Sequence, residues 1–442
     1  MRSSLRAAWL SVRASYWFLP TLMTLAAFAL AMLTIHLDRI WGSEWLLEKG
    51  WFEGSRPEGA RAQLTVIASA MIAISSTVFA ITISAVAFAS GNYGPRLLTN
   101  FMNDRGNQVS LGVFIATFVY NLTVLRVVRN PEDAPAPGES AAEAVSAFVP
   151  QLSMLVSGTS VLIAVAVLVF FLHHVPASIR VNTVLGGIGR HLIRDIEAHY
   201  PAESGAREPE APPRGTPVSA ASVGYVKIID FAALDSIARE EGRAIALKVR
   251  TGDFSHPHVA IAELSGGPVD ARLTARIRAC FSFGDSRTAS QNLQFLIDEL
   301  VEIAMRALSP GRNDPYTALT AIHWLGAALA KLADRDLGAG PEEEDYDPER
   351  VRPVADDFRH YLRRGFGALR ASAATNSIAS AMFLDALAGV AAGAASADRL
   401  RTIADEAHAL MAQAEEELKG PALADVRDAF AAFQEQIAGK TL

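Results

Sequence analysis

Four long, uncharged and apolar stretches dominate the first 174 residues of the chain. They run Trp17–Leu37, Leu64–Ala89, Asn107–Leu125 and Ala144–Leu172. Roughly 20 apolar residues in a helix cross the ~30 Å hydrocarbon core of a bilayer. A helix is expected because lipid offers no partners for exposed backbone groups. The pattern therefore predicts four membrane-spanning helices, at about residues 17–37, 64–89, 107–125 and 149–172.

The pattern changes after the fourth stretch. A helical periodicity continues to His199, a proline-rich segment follows, and the remainder shows short strands and then amphipathic helices. The predicted fold class is mainly α: a four-helix transmembrane domain, a small mixed α/β segment and an α-helical soluble domain. The predicted divisions are a transmembrane domain with its connecting helix (1–199), a disordered linker (200–219), a small α/β cytoplasmic segment (220–285) and an α-helical cytoplasmic domain (286–442).

Several elements of the soluble part have local signals. Alternating and β-branched positions predict strands at Tyr225–Ile229, Ala244–Val249 and Val259–Leu264, with a helix at Phe231–Glu241. Two amphipathic helices are expected at Ser286–Leu308 and Tyr316–Ala333. Between them, Asp314 is a suitable N-cap and Pro315 a suitable first-turn residue, so Ser309–Pro315 is expected to form a helix–turn–helix corner.

Composition supports the same division. Charged residues are 20% of the whole chain, but about 12% of residues 1–174 and about 25% of the rest. The net charge of −7 argues against nucleic acid as a partner, because nucleic-acid-binding proteins usually carry a basic excess. The single cysteine, Cys280, excludes an intramolecular disulfide and a cysteine-based metal cluster.

The loops predict an orientation. An even number of spans places both termini on one side, and that side carries eight Arg or Lys residues near the spans, against six on the other. The positive-inside rule therefore favours cytoplasmic termini. A cytoplasmic location for the C-terminal part also agrees with the absence of disulfides.

The second predicted span carries an unusual set of hydroxyl groups. At 100° per residue they fall within an arc of about 120°. The members are Thr65, Ser69, Ser76, Thr77 and Ser84. One interpretation is a weakly polar pore wall; the other is close helix packing, where small residues let backbones approach. In the third span, Asn121 must face another helix or a cavity, because an amide in lipid needs a partner.

Two further groups are candidates for binding. The corner after the first soluble helix combines an arginine with the positive end of the next helix, which suits an anion or a protein partner. Its candidate residues are Ser309, Gly311, Arg312, Asn313 and Asp314. In the short loop between spans two and three, Arg96 and Arg105 are expected to touch either lipid headgroups or the soluble domain. For the corner residues, from Ser309 to Asp314, the simpler alternative is a rigid turn that binds no ligand.

Two blocks of sequence resemble a bacterial family of predicted membrane proteins, domain of unknown function 2254. The first block contains Ser76-Thr77-Val78-Phe79, Gly94-Pro95-Arg96-Leu97-Leu98 and Asp104-Arg105-Gly106-Asn107-Gln108; the second contains Arg287-Thr288 and residues 302–318. The resemblance covers most of residues 10–335 and implies a multi-pass protein of the bacterial inner membrane. The family implies no activity and no cofactor.

The sequence offers no set of residues that suggests an enzyme, a metal site or a cofactor. A homo-oligomeric channel or passive pore in the bilayer is the preferred hypothesis, because the spans themselves carry hydroxyl groups and no charge. A non-conducting scaffold or sensor that binds a cytoplasmic protein partner is the alternative. A membrane enzyme is the third and least supported hypothesis.

Overall fold

The computed structural model describes residues 15–41, 56–94, 104–130, 148–200, 214–287, 292–338, 346–354 and 357–439. The chain divides into two compact units, which we call the membrane unit (Leu10–Arg180) and the C-terminal unit (from Val181 onward). This division differs from the boundary expected after residue 199, because the connecting helix packs within the C-terminal unit. The described architecture is mainly helical, with small sheets between the apolar helices and the later helical region, as the sequence predicts.

The described part of the membrane unit consists of four long helices. They are α1 (Phe18–Trp41), α2 (Pro57–Tyr93), α3 (Arg105–Leu125) and α4 (Gln151–Ser178). All four are long and apolar enough to cross a membrane, which confirms the predicted number of spans. Each helix extends past its uncharged stretch. In α1 the extension includes Asp38, a residue that matters for the packing of α4.

Helix α3 lies at the centre of the membrane unit. It packs against α1, α2 and α4. More than half (56%) of its most apolar segment is buried, against 28% or less in the other three helices. Small residues allow this close approach: a Cβ on Gly112 would lie 2.5 Å from the Met23 sulfur of α1. The apolar surfaces of α1, α2 and α4 therefore remain largely exposed within the chain.

The C-terminal unit begins with α5 (Val181–His199) and a small α/β segment. The segment contains β1 (Thr216–Ser219), β2 (Gly224–Ile229), α6 (Phe231–Glu241), β3 (Ile245–Leu247), β4 (Phe254–Ser255), β5 (Ala260–Leu264), α7 (Ala271–Arg278) and β6 (Phe281–Gly284). The predicted helix has the expected bounds, and the three predicted strands correspond to β2, β3 and β5. A shared core of buried aliphatic residues includes Leu234, Ile245, Ile261 and Ile277.

The seven strands in the described part of the C-terminal unit form two sheets. One has the order β1-β5-β3-β7, where β7 is Val351–Arg352, and the other has the order β4-β2-β6. All pairs are antiparallel except β3 with β7. Strand β1 occupies the end of the segment expected to be a disordered linker, because residues 216–219 pair with β5. Of that linker, residues 201–213 lie outside the described part of the chain.

The remainder of the C-terminal unit is helical. Its elements are α8 (Leu293–Ala307), α9 (Pro315–Ala333), α10 (Phe358–Leu362), a π-helical turn (Arg363–Gly367), α11 (Ala368–Ala374), α12 (Ser377–Ala392), α13 (Ala397–Glu417) and α14 (Pro421–Ala438). The Asp314 carboxylate accepts a hydrogen bond from the Thr317 amide at 3.1 Å, and Pro315 opens α9. The predicted N-cap and first-turn proline are therefore confirmed.

Helix α5 is seated on α9 through two glycines. Gly186 and Gly189 leave room for the Trp324 ring, which a Cβ on Gly189 would overlap. The guanidinium of Arg190 lies 5.7 Å from the centre of the same ring, close enough for a cation–π interaction. The apolar residues Leu185 and Leu192 are buried beside it. Residues 181–199 are thus an integral part of the C-terminal unit.

This packing predicts opposite effects for two nearby glycines. Alanine at either position favours the helix by about 0.5–1 kcal/mol, but Gly189→Ala also forces the Trp324 ring to shift, at a cost of about 1–3 kcal/mol. No atom lies within 4 Å of a Cβ on Gly187. We expect Gly189→Ala to lower the melting temperature measured by circular dichroism, and Gly187→Ala to leave it unchanged or raised. Equal melting temperatures would contradict the seating of α5 on Trp324.

Candidate functional site

The hydroxyl groups predicted on the second span lie on the exposed side of α2. Thr65, Ser69, Ser76, Thr77 and Ser84 are all exposed within the chain. The Ser76 and Thr77 hydroxyls each donate to the carbonyl four residues earlier, at 3.0 Å. The other helices in the described part of the chain therefore leave the predicted arc uncovered.

Two other hydroxyl residues of α2 have the opposite orientation. Ser75 and Thr82, which fall outside the predicted arc, are buried at 4% and 3% exposure. They also donate within the helix, to the carbonyls of Met71 and Val78. The buried face of α2 thus contains Ser75 and Thr82, whereas the predicted set faces away from the other described helices of the membrane unit.

Four of the five exposed hydroxyl residues, all except Thr77, belong to a longer row of small residues, which we call the small-residue groove. Its members recur at intervals of three or four residues, which is the spacing of one helix face. They are Ala62, Thr65, Ser69, Ala73, Ser76, Ala80, Ser84, Ala87 and Gly91, all exposed. Larger exposed side chains, including Ile72, Phe79 and Phe88, flank the row. The result is a shallow groove along α2, on the side opposite its buried face.

Asn121 lies elsewhere, in the packing between α3 and α4. Its side chain is fully buried; its Oδ1 accepts a hydrogen bond from the Ser157 hydroxyl at 2.5 Å, and its Nδ2 donates to the Thr117 carbonyl at 2.7 Å. The amide therefore faces another helix, which is one of the two environments expected for it. It is not brought together with the exposed hydroxyls of α2.

A buried carboxylate that the sequence analysis did not single out holds α1 against α4. Asp38 is 3% exposed and accepts hydrogen bonds from the Leu152 amide (2.9 Å), the Ser153 amide (3.0 Å) and the Ser153 hydroxyl (2.7 Å). The residue before α4 is Pro150, whose side chain makes no capping bond. Asp38, which lies on α1, therefore supplies the N-cap that α4 lacks in its own sequence. Its negative charge also interacts favourably with the positive N-terminal end of the α4 helix dipole.

The same junction includes α3. The Tyr120 hydroxyl donates to the Ser153 carbonyl at 3.1 Å, and its oxygen lies 3.0 Å from that of Thr34 on α1. Both hydroxyl groups are buried. We call Thr34, Asp38, Tyr120 and Ser153 the α4 cap cluster. Its only sequence signals were an acidic residue directly after an apolar stretch and polar residues in the third and fourth spans.

A second polar contact lies at the other end of α3 and α4. Asp104 caps α3 through the Asn107 amide, and both its oxygens lie 2.9 Å from His174 Nε2 of α4. His174 also stacks on Phe170, with 4.9 Å between ring centres. Gly106 is required here, because a Cβ would lie 2.6 Å from the histidine ring. Next to this contact, Arg105 is exposed, whereas Arg96 lies outside the described residues.

The corner before α9 is tightly hydrogen bonded to itself. The Ser309 carbonyl accepts from the Arg312 and Asn313 amides at 2.9 and 3.0 Å, and the Asp314 amide donates to the Ala307 carbonyl at 2.8 Å. Asn313 has a left-handed φ of 48°, which asparagine tolerates better than most residues. The chain from Pro310 to Asp314 is exposed. The arrangement accounts for a rigid corner, and a role for Gly311 or Arg312 in binding stays a prediction.

The lone cysteine lies in the core of the α/β segment. Burial raises the pKa of the Cys280 thiol to about 12, so the thiolate is scarce at neutral pH. A thiolate is the form that acts as a nucleophile. Cys280 is therefore suited to packing and poorly suited to nucleophilic chemistry.

Comparison with known proteins identifies the family to which the chain belongs. A sequence profile described as "Predicted membrane protein (DUF2254)" matches residues 13–389. Two relatives, described as uncharacterized proteins of Mycobacterium bovis and Mycobacterium tuberculosis, are each 30% identical over 306 residues. The match covers 66% of this chain and 56% of each relative, so the chain spans just over half the length of these curated relatives. No solved structure matches the chain.

The α4 cap cluster generates a prediction for Asp38. Asp38→Ala leaves two backbone amides and a hydroxyl without their acceptor, so we expect a loss of about 2–3 kcal/mol in the free energy of unfolding. Asp38→Asn keeps one side-chain oxygen and should cost less. Both are measured by reversible unfolding of the full chain in detergent micelles.

The matched control is Thr24→Ala on the same helix. Thr24 is half-buried, and its hydroxyl donates only to the Pro20 carbonyl of α1 among the described residues. Its replacement should change the free energy of unfolding by less than about 0.5 kcal/mol. If Asp38→Ala and Thr24→Ala have the same effect, Asp38 does not hold α4.

Proposed function

We propose that this chain, which belongs to the DUF2254 family of predicted membrane proteins, is an oligomeric channel or passive pore with a regulatory C-terminal unit. The observation that carries this proposal is the uncovered hydroxyl face of α2. Five hydroxyl residues lie on one side of this helix, and none of them packs inside the described chain. A second copy of the chain is the partner that we propose for this face.

The chemistry of α2 suits passive permeation. Between Leu64 and Gly91 the helix contains no charged side chain, whereas ion-coupled transporters and voltage sensors usually use charges within the membrane. The serine and threonine hydroxyls keep acceptor lone pairs after donating to their own helix. Several copies of α2 around one axis would therefore form a weakly polar pathway for small polar solutes or ions.

We further propose that the protein lies in the bacterial inner membrane with both termini in the cytoplasm. The excess of arginine and lysine on the side of the termini supports this orientation. The mycobacterial relatives support a bacterial membrane. We also propose that the protein is not an enzyme and that it uses no cofactor.

The short connection between the two units supports the proposed regulatory role of the C-terminal unit. Helix α4 ends at Ser178 and α5 begins at Val181, so only Ile179 and Arg180 separate them. In this proposal, a displacement of the end of α4 would act on α5 and on the helices that pack against it. Binding at the bundle would act on α4 by the same connection.

The second candidate function is a non-conducting scaffold or sensor that binds a cytoplasmic protein. The exposed corner before α9 favours it, because Met305 and Tyr316 expose 42% and 70% of their surface on either side of the corner. Exposed large apolar residues beside an arginine are typical of protein-binding surfaces. In this alternative the small-residue groove joins copies of the chain without enclosing a pathway.

Solute flux separates the two candidates. We expect liposomes containing the protein to release potassium or glycerol faster than protein-free liposomes. In Ser76→Cys, a positively charged methanethiosulfonate reagent should then lower the flux at least fivefold, because the modified side chain obstructs the pathway. The matched control is Ile81→Cys, exposed on the same helix but outside the groove, whose flux should not change.

The wild-type chain is a further control, since its only cysteine, Cys280, is buried and should not react with the reagent. An absence of flux from the wild type under varied voltage, membrane tension and osmolarity would contradict the pore. It would leave the scaffold as the remaining proposal.

A further inference from the structure

A cleft of about 470 Å³ opens in the helical bundle of the C-terminal unit. It lies between the helix that contains the π-helical turn (Arg363–Gly367) and α13. Its charged and polar lining residues are Arg359, Arg363, Arg370, Thr402, Asp405 and Glu406. Its volume is within the range of small-molecule sites, but the excess of arginine sets it apart from an ordinary apolar pocket.

The π-helical turn places residues on both sides of one helix. On the side of the core, Phe366 is fully buried and Gly365 leaves room for Leu325. Towards α8, the Arg364 guanidinium makes two 2.7 Å bonds with the Asp298 carboxylate. These contacts fix the turn, and they leave Arg363 and Gly367 on the cleft side. Single π turns are rare and occur frequently at functional sites.

The floor of the cleft is a buried carboxyl group. Glu406 is 6% exposed, and its Oε1 accepts a 2.8 Å hydrogen bond from Arg370. The second oxygen faces the space above Gly367, where a Cβ would lie 3.6 Å from it. Burial raises the pKa of the Glu406 carboxyl, against the opposing effects of Arg370 and Arg363. The second oxygen can therefore interact with a group that enters the cleft.

Two arginines at the mouth of the cleft are available to an anion. Arg359 and Arg363 are both exposed and lie four residues apart on one helix. Arg359 is 3.3 Å from the Thr402 hydroxyl, which is a weak hydrogen bond, and the charge of Arg363 acts on Glu406. The guanidinium group is planar and donates in pairs, which matches phosphate and carboxylate oxygens.

We propose that this cleft binds a small phosphorylated molecule that also carries a hydroxyl group. The phosphate is held by Arg359 and Arg363, and the hydroxyl is placed against the free oxygen of Glu406. The chemistry is shared by soluble metabolites of this type and by the headgroup of a phosphorylated lipid. The proposal does not depend on whether the membrane unit conducts.

The test uses the full-length protein in non-ionic detergent and sn-glycerol 3-phosphate as the probe, with isothermal titration calorimetry at fixed ionic strength. We expect saturable binding that is at least tenfold weaker in the Arg359→Ala/Arg363→Ala double variant. The matched control is Arg401→Ala, an exposed arginine on α13 outside the cleft, which pairs with Asp398. Its affinity should equal that of the wild type.

A second variant separates the shape of the site from its charge. Gly367→Leu fills the cleft and retains every charged residue, so it should also weaken binding at least tenfold. Circular dichroism checks that each variant is folded. Equal affinities in the wild type, the double variant and Gly367→Leu, or no saturable binding to any probe, would overturn the proposal.

Two further arms identify the source of the ligand. Inorganic phosphate, which cannot reach the Glu406 oxygen at the same time, should bind more weakly than glycerol phosphate. Nanodiscs with and without phosphatidylglycerol, whose headgroup carries both a phosphate and hydroxyl groups, test the lipid headgroup. Binding of soluble glycerol phosphate that the double variant loses supports a free metabolite, and a loss confined to nanodiscs with phosphatidylglycerol supports a lipid.

Discussion

The membrane unit depends on one requirement: the first backbone amides of α4 need acceptors at a site where Asp38 and Ser153 are buried within the chain. Pro150 cannot provide one from its side chain, and the Asp38 carboxylate of α1 does so through three hydrogen bonds. Tyr120 of α3 binds the Ser153 carbonyl in the same place. Since buried backbone groups need hydrogen-bond partners inside the protein, these contacts hold α1, α3 and α4 together at this end.

Among the described residues, nothing packs on the side of α2 opposite its buried face. Its buried face packs on α3, and the small-residue groove lies on the opposite face. In lipid the hydrophobic effect does not drive helices together, so small residues that permit close contact mark the faces that associate. The small-residue groove is therefore the surface through which we propose that several copies of the chain associate.

The parts of this structure that follow from local signals were predictable from the sequence. The four spans follow from the length of their apolar stretches, and the start of α9 follows from the adjacent pair Asp314 and Pro315. The α4 cap cluster was not predictable, because Asp38 and Ser153 are 115 residues apart and nothing local relates them. The contact of Gly189 with Trp324 and the pairing of Arg370 with Glu406 were not predictable for the same reason, because each joins residues that are far apart in the sequence. Such contacts depend on tertiary packing.

The central claim is that α2 helices of neighbouring copies meet through the small-residue groove. Disulfide cross-linking in native membranes tests it most directly, with Ser76→Cys and Ile81→Cys compared under the same oxidant. The account predicts a covalent dimer for Ser76→Cys and none for Ile81→Cys, because only the first position lies in the groove. No dimer at Ser76, or equal yields at both positions, would contradict it.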